Sequence, residues 1–484
     1  MLKKKNRTII DQVEFVCLSE LVPKEHLLRT VNESIDFSFI YEKVKDLYSD
    51  CTGRPSIDPV VLIKILIIQI LYGIPSMRQT IRDAEVNLAY RWFLGYGFQE
   101  KIPHFSTFGK NYERRFRESD LFDEIFVQIL LEAIQCGFLR TDAAFIDASQ
   151  VKANANKNKY LRKMAKHRAH KYKRDLLLEI NQEREKHGKK PFDDDNDNNN
   201  GNQADQTTKE IKESTTDPES GLFHKGEKER CFAYTASVAC DSNNFVLAVK
   251  AAAGNVHDSQ VFSDVFEQVR KRVPDVEAIV VDAGYKTPGI CREILEANIV
   301  AVMPYKRPVT PEGYFRKYEY VYDEYYDCYL CPNNQVLRYS TTNREGYREY
   351  KSNPQICLSC PVRMQCTQSK NHIKVVTHHV WQEYVDIVED IRHTDWGREM
   401  YRKRSETIER VFADAKERHG MRFTRYRGLR KVQHYLTLLF ACMNLKKLAM
   451  WKKTRGILPR VSSWIFAIWN FTPINATPLP CHLA

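Results

Sequence analysis

The chain has 484 residues, 43% of them hydrophobic, which allows about two to four domains with a sizeable core. Its 74 Lys and Arg against 62 Asp and Glu leave a net charge of +12. That balance favours polyanionic partners, nucleic acid first, although a merely basic soluble protein fits it equally. No apolar run follows the basic start MLKKKNRTII, and the strongest run, Val60–Tyr72, falls short of a roughly 20-residue span and carries Lys64 and Gln69. A cytoplasmic protein with no membrane partner is expected, so its 13 cysteines are read as reduced thiols, and those that cluster as candidate metal ligands.

In chain order, residues 1–140 read as a helical N-terminal DNA-binding domain. Asp58-Pro59 is a helix start, and Gly73 and Pro75 stop the apolar helix that follows. Ser76 is placed to cap a second helix, MRQTIRDAEVNLAYRWFLG, and Ser106 a third, the arginine-rich TFGKNYERRFRE. Short, separately capped basic helices suit a helix-turn-helix-like DNA reader; an ordinary bundle with a solvated basic face has the same pattern.

A strand is predicted over Phe145–Ala148. The basic stretch Asn156–Ile180 reads as helical, lying along phosphates or simply solvated. Residues 192–217 have almost no apolar side chains and are expected to form a disordered linker. A hairpin is predicted from Cys231–Asp241 and Asn244–Gly254. After it come a helix over Val261–Val273, a strand over Val276–Gly284, a helix after Thr287-Pro288 and a strand over Val300–Tyr305. This order describes a mixed α/β sheet flanked by helices.

Asp147 and Asp282 each follow an apolar triplet, AFI and IVV. Either alone is as well explained as a cap or turn residue. Two on strands of one sheet repel each other unless a divalent cation sits between them. A single helix predicted over Tyr401–Gly420 offers a third acid. Arg402, Glu409 and Lys416 share one stripe of it, beside the apolar stripe Ile408, Val411, Phe412 and Ala415. Glu409 then edges the buried face, whereas Glu406 is turned about 60° away. A solvated salt-bridging helix fits the same charge pattern.

Together Asp147, Asp282 and Glu409 resemble the DDE triad of bacterial insertion-sequence transposases. Three stretches carry the likeness: FIDASQVKANAN, VVDAGYKTPG and ETIERVFADAKERHGMRFTRYRGLRKVQHYLTLLFACMNLKKL. GRPSIDPVVLIKILIIQILYGIPSMRQT is similar to the helical domain that precedes their catalytic core. The resemblance covers about residues 1–450 and implies an RNase H-like core in 141–310 and 386–455. An insertion at about 155–220 and a β-rich, cysteine-containing one at 311–385 would split that core, with 456–484 left as a C-terminal tail.

The resemblance also implies two Mg²⁺ (or Mn²⁺) ions held by Asp147, Asp282 and Glu409, serving an in-line displacement. Water would nick the element end, and the freed 3′-OH would join target DNA. Lys416, which keeps the family's spacing from Glu409, joins the three acids in the implied catalytic set; Tyr401 and Arg404 stand one residue off that spacing, with Ser405 where the arginine is expected. Lys416, Arg404, Arg422, Arg425, Arg427 and Arg430 would hold phosphates without reading sequence. The implied partner is double-stranded DNA, both terminal inverted repeats and target, bound by a homodimer or larger synaptic complex. An endonuclease that cuts without joining, and a DNA-binding regulator with a dead core, are the alternatives.

Within 311–385, Cys328 and Cys331 form one CxxC pair, Cys357 and Cys360 a second, and Cys366 lies nearby. Two such pairs match a four-thiolate structural Zn²⁺ ribbon, with Cys366 leaving the choice of four open. Reduced core cysteines or a redox pair are the other readings. His257, in GNVHDSQ, reads as structural, with a role near the scissile phosphate as the alternative.

Overall fold

The computed structural model describes residues 15–49, 56–165, 173–192, 209–225, 229–306 and 310–458. The N-terminal part is helical: α1 Leu27–Ser34, α2 Pro59–Leu71, α3 Met77–Val86, α4 Leu88–Leu94, α5 Phe105–Asn111 and α6 Leu121–Gln135. Asp58 starts α2 as predicted, its Oδ1 accepting from the Val60 N–H at 2.7 Å. α2 is apolar nearly all round and is buried accordingly. Its one ammonium, on Lys64, donates to Asn32 Oδ1 at 2.8 Å and to the Phe93 carbonyl at 3.0 Å. Among the described residues no helix is long and apolar enough to cross a membrane.

Two of the predicted helices differ. The second breaks at Asn87, whose side chain accepts from the Ala89 and Tyr90 N–H groups and so caps a new helix, α4. The third is capped by His104, not Ser106: His104 Nδ1 accepts from the Ser106 N–H at 3.3 Å. A π-helical turn over Tyr112–Phe116 follows α5.

Next come strands β1 Ala144–Lys152, β2 Tyr160–Ala165, β3 Lys209–Ser214, β4 Gly221–Lys225, β5 Glu229–Asp241, β6 Val246–Ala253, β7 Ala278–Val280 and β8 Val300–Val302. Six of them form a mixed sheet in the order β4-β5-β1-β7-β8, with β6 also on β5. β5 runs antiparallel to β1, while β7 is parallel to β1 and β8 to β7. Helices α7 Lys173–Lys186, α8 Phe262–Arg272 and α9 Pro288–Glu296 are interleaved with these strands along the chain.

The insertion differs from expectation. Part of the predicted basic helix is β2, paired antiparallel with β3, and residues 209–217 of the predicted linker are ordered. Residues 166–172 and 193–208 lie outside the described residues. Composition misleads here because part of the segment pairs as a two-stranded ribbon and its end is fixed by buried polar bonds. Asp217, 1% exposed, accepts from the Tyr234 hydroxyl at 2.8 Å and the Gly428 N–H at 3.1 Å.

A second sheet is an antiparallel meander of β9 Val321–Asp323, β10 Cys328–Leu330, β11 Val336–Thr342, β12 Tyr347–Lys351 and β13 Val375–His379. It has its own small core of Tyr320, Tyr329, Leu337, Tyr350 and Val376. The chain then returns through helices α10 Gln382–His393, α11 Asp395–Arg402, α12 Ile408–Arg418 and α13 Leu429–Thr454.

α13 packs against α1, α2, α6 and β6, and so joins the helical part to the mixed sheet. Its amide side chains pair with the edge strand β6. Asn444 accepts from the Val246 N–H and donates to the Val246 carbonyl, both at 2.8 Å. Gln433 does the same with the Ala251 N–H at 2.6 Å and the Val249 carbonyl at 3.1 Å. The helix thereby covers an edge that would otherwise pair with another chain.

Replacing Asn444 by Ala strands a buried donor and acceptor and should lower the unfolding free energy by about 2–4 kcal/mol, read from urea denaturation. Asp241 gives a pH signature. Burial pushes its carboxyl up to about 6 against the N–H bonds it accepts from Arg140, Phe245 and Asn243. Its folded value exceeds its unfolded one, so its contribution is present below about pH 4 and lost as pH rises through about 6. That loss is at most about 3 kcal/mol, and a carboxyl NMR titration should place the Asp241 midpoint near 6.

Candidate active site

The β1–β7 register sets the site. Phe145 on β1 lies opposite Val280 on β7, where their parallel pairing ends. Asp147 and Asp282 each stand two residues further on, at the carboxyl end of that pairing, where open α/β sheets place ligands. β1 itself does not stop at the predicted Ala148. It continues to Lys152 with Asp147 opposite Val238 of β5, so Asp147 is held mid-strand. Asp282 caps the 3₁₀ turn Ala283–Tyr285, its Oδ1 accepting from the Gly284 N–H at 2.7 Å. A Cβ on Gly284 would sit 3.0 Å from that oxygen, so a larger residue there would press on the Asp282 carboxylate.

The Asp147 side chain is 21% exposed, and its Oδ2 is 2.6 Å from Arg404 Nη2. Burial raises its carboxyl above the ordinary value; the Arg404 charge and the Ala148 N–H oppose this, and Asp282 and Asp258 add to it. Arg404 is itself 7% exposed. Burial works against its charge, but Asp147 offsets that and holds it above the ordinary value.

Arg404 reaches Asp147 because the predicted single helix is broken. α11 ends at Arg402, a 3₁₀ turn runs over Lys403–Ser405, and α12 begins at Ile408. The break removes Arg402 from the Glu409–Lys416 stripe. α12 docks on β1 and β5 through Ile408, Val411, Phe412 and Ala415, the predicted apolar stripe. Glu409 lies in its first turn on the exposed side. Among the described residues no three His, Cys, Asp or Glu side chains are placed to hold a metal ion as they stand.

Lys416 lines a cavity of about 580 Å³ between α12, α13 and the N-terminal helices, with Arg422, Arg425 and Lys431 at its wall. Arg422 is ion-paired with Glu417, and Arg430 with Glu118 at 2.5 Å. Arg427 donates from Nε to the Asn154 carbonyl at 3.1 Å, and Asn154 Nδ2 donates to the Arg425 carbonyl at 3.0 Å.

The structure also brings Asp258 and Tyr285 to the two aspartates, which the sequence reading missed. Asp258 follows His257, whose ring accepts from the Ser259 N–H and fixes the turn Asp258–Gln260, a structural role as expected. The available signal was the acid beside that histidine.

Of the five cysteines in the second sheet's region, Cys331, Cys357, Cys360 and Cys366 line one cavity of about 30 Å³. Cys328 does not: it is buried in β10. The Gln335 N–H donates to Cys331 Sγ at 3.3 Å, and Tyr320 Oη lies 3.2 Å from Cys366 Sγ. All the described cysteines are free thiols.

Two family profiles match the chain. One, described as Transposase DDE domain, matches residues 330–449, which hold Glu409, Lys416 and the cysteine-lined cavity. The other, described as Transposase domain (DUF772), matches residues 16–114 of the helical part. Asp147 and Asp282 lie outside both. No curated protein matches the chain.

Replacing Arg404 by Ala leaves Asp147 partly buried without its cation. In metal-free buffer this should cost about 2–4 kcal/mol of stability, less than a fully buried pair because Asp147 is partly solvated; chemical denaturation measures it.

Proposed function

Because the chain belongs to the DDE-type transposases of insertion sequences, we propose that it cleaves DNA at the ends of its element and transfers the freed 3′-OH ends to target DNA. What supports this reading is the register that brings Asp147 and Asp282 to the carboxyl end of the β1–β7 pairing, with Arg404 on Asp147. The strand order and directions, with β5 antiparallel on one side of β1 and β7 and β8 parallel on the other, support an RNase H-like core.

The donors at the rim are carboxylate oxygens, which suit a hard divalent cation. Asp147 and Asp282 would hold it, with Glu409 completing the set from α12. When bound, Mg²⁺ or Mn²⁺ supplies Lewis acidity to the attacking and leaving oxygens of the phosphodiester. The chain's own cations do the rest. Arg404 neutralises Asp147 in the free protein, and on substrate its guanidinium is placed to bind a phosphate oxygen. Lys416, Arg422, Arg425, Arg427 and Arg430 would position the DNA backbone, and the helical part would bind the inverted repeat, in a dimer or larger assembly.

The thiols of Cys331, Cys357, Cys360 and Cys366, which share the wall of one cavity, would serve a structural Zn²⁺ once drawn together: four thiolates close its tetrahedron and leave no position for water. The Gln335 N–H bond to Cys331 Sγ would stabilise that sulfur as a thiolate.

DNA carrying the flanking inverted repeats should be cut with Mg²⁺ or Mn²⁺ and not with EDTA, and pre-cut 3′-OH ends should be joined to a plasmid. Asp147→Asn and Asp282→Asn should each lose more than about 100-fold in cleavage while still retarding the DNA in a gel. Cutting without joining would identify an endonuclease; neither activity, with DNA binding intact, would leave a regulator. In metal analysis, the chain should hold one zinc; Cys366→Ser should lose it and Cys328→Ser keep it.

A further inference from the structure

The loop after β6 places a third carboxylate at the rim that holds Asp147 and Asp282. His257 fixes the turn Asp258–Gln260, and that turn packs against the turn Ala283–Tyr285, which Asp282 caps. Asp258 is thereby half-buried and carries no arginine or lysine partner among the described residues. The charges facing it are the adjacent His257, Asp282 and Asp147.

Cations are scarce here. Arg404 is committed to Asp147, and Lys286, just beyond the Asp282 turn, is ion-paired with Glu389 of α10. Three acids therefore face one arginine.

A second, independent observation sits in the same place. Tyr285 is 1% exposed, and its buried hydroxyl has no hydrogen-bond partner. That hydroxyl lies within the fields of Asp258, Asp147 and Asp282. Its ring is fixed against Phe262 at 5.9 Å between centroids, so it does not turn to solvent. A polar group kept buried and unpaired is uncommon in a folded protein and marks a site whose working partner is added later.

We infer that Asp258 is a ligand to the divalent cation, joining Asp147 and Asp282 from the sheet end, with the Tyr285 hydroxyl as the donor that orients the carboxylates. This rests on the transposase reading of the site. In the free protein the carboxylates stand apart, with Arg404 on Asp147; cation binding draws them together and frees Arg404.

The test is Mn²⁺ binding to the full chain without DNA, read by electron paramagnetic resonance titration. Asp258→Asn keeps the shape of the side chain and should weaken Mn²⁺ at least tenfold, as Asp147→Asn and Asp282→Asn do. Tyr285→Phe, which removes only the hydroxyl, should weaken it severalfold and serves as the second test should Asp258→Asn fail to fold. Asp264→Asn, an exposed change on α8, should leave binding unaltered. In Mg²⁺, DNA cleavage by Asp258→Asn should fall with the affinity and recover in part at high Mn²⁺. Wild-type affinity in Asp258→Asn or, if that variant unfolds, in Tyr285→Phe, with binding lost in Asp147→Asn and Asp282→Asn, overturns the role of Asp258 and leaves the transposase reading standing. Wild-type affinity in Asp147→Asn and Asp282→Asn overturns that reading itself.

Discussion

Carboxylates half-withdrawn from water, with one arginine to balance them, are the constraint around which this half of the molecule is built. Desolvation disfavours the charged form of Asp147, and Asp282 and Asp258 add repulsion. Arg404 supplies the only guanidinium contact to Asp147 among the described residues, at 2.6 Å. An uncompensated set of this kind does not improve stability; its retention points to something the free chain does not contain. On the function proposed above, a divalent cation would answer both the charge and the oxygen-only donor set.

Much of the surrounding structure serves to hold those groups in place. The parallel β1–β7 pairing fixes two of them by register, the least adjustable feature of a sheet. The broken helix between Arg402 and Ile408 lets one segment send Arg404 to the rim while the next lays its apolar stripe on β1 and β5. α13 fastens the edge strand of the same sheet through Asn444 and Gln433 and reaches back to the N-terminal helices. The cavity beside Lys416 is walled by both parts of the chain; on the function proposed above, a DNA backbone held by the helical part would meet α12 there.

The sequence made some of this legible and hid the rest. Strongly periodic or capped segments were readable: Asp58-Pro59 and Ser76 start helices, and the hairpin flanking Ser242 and the stripe Ile408, Val411, Phe412 and Ala415 all lie where the pattern puts them. Boundaries set by competing local bonds were not. Asn87 and His104 cap helices through side-chain bonds that periodicity does not register, and β1 runs past Asp147 because β5 pairs with it. The polar insertion looked unstructured because its order comes from Asp217 and a two-stranded ribbon. The charged cluster was only half visible: Asp147 and Asp282 announce themselves at the ends of apolar triplets, whereas Asp258 and Tyr285 reach the rim only through the packing of two short turns. Likewise the CxxC spacing pointed to the thiols, but only the fold separates Cys328 from the other four.

The most direct measurement is anomalous diffraction from crystals of the full chain soaked in Mn²⁺. A peak within bonding distance of the Asp147 and Asp282 carboxylates, with Arg404 withdrawn from Asp147, is the predicted result. Saturating Mn²⁺ with no peak there and the Arg404–Asp147 pair intact would contradict the claim that this rim is a cation site.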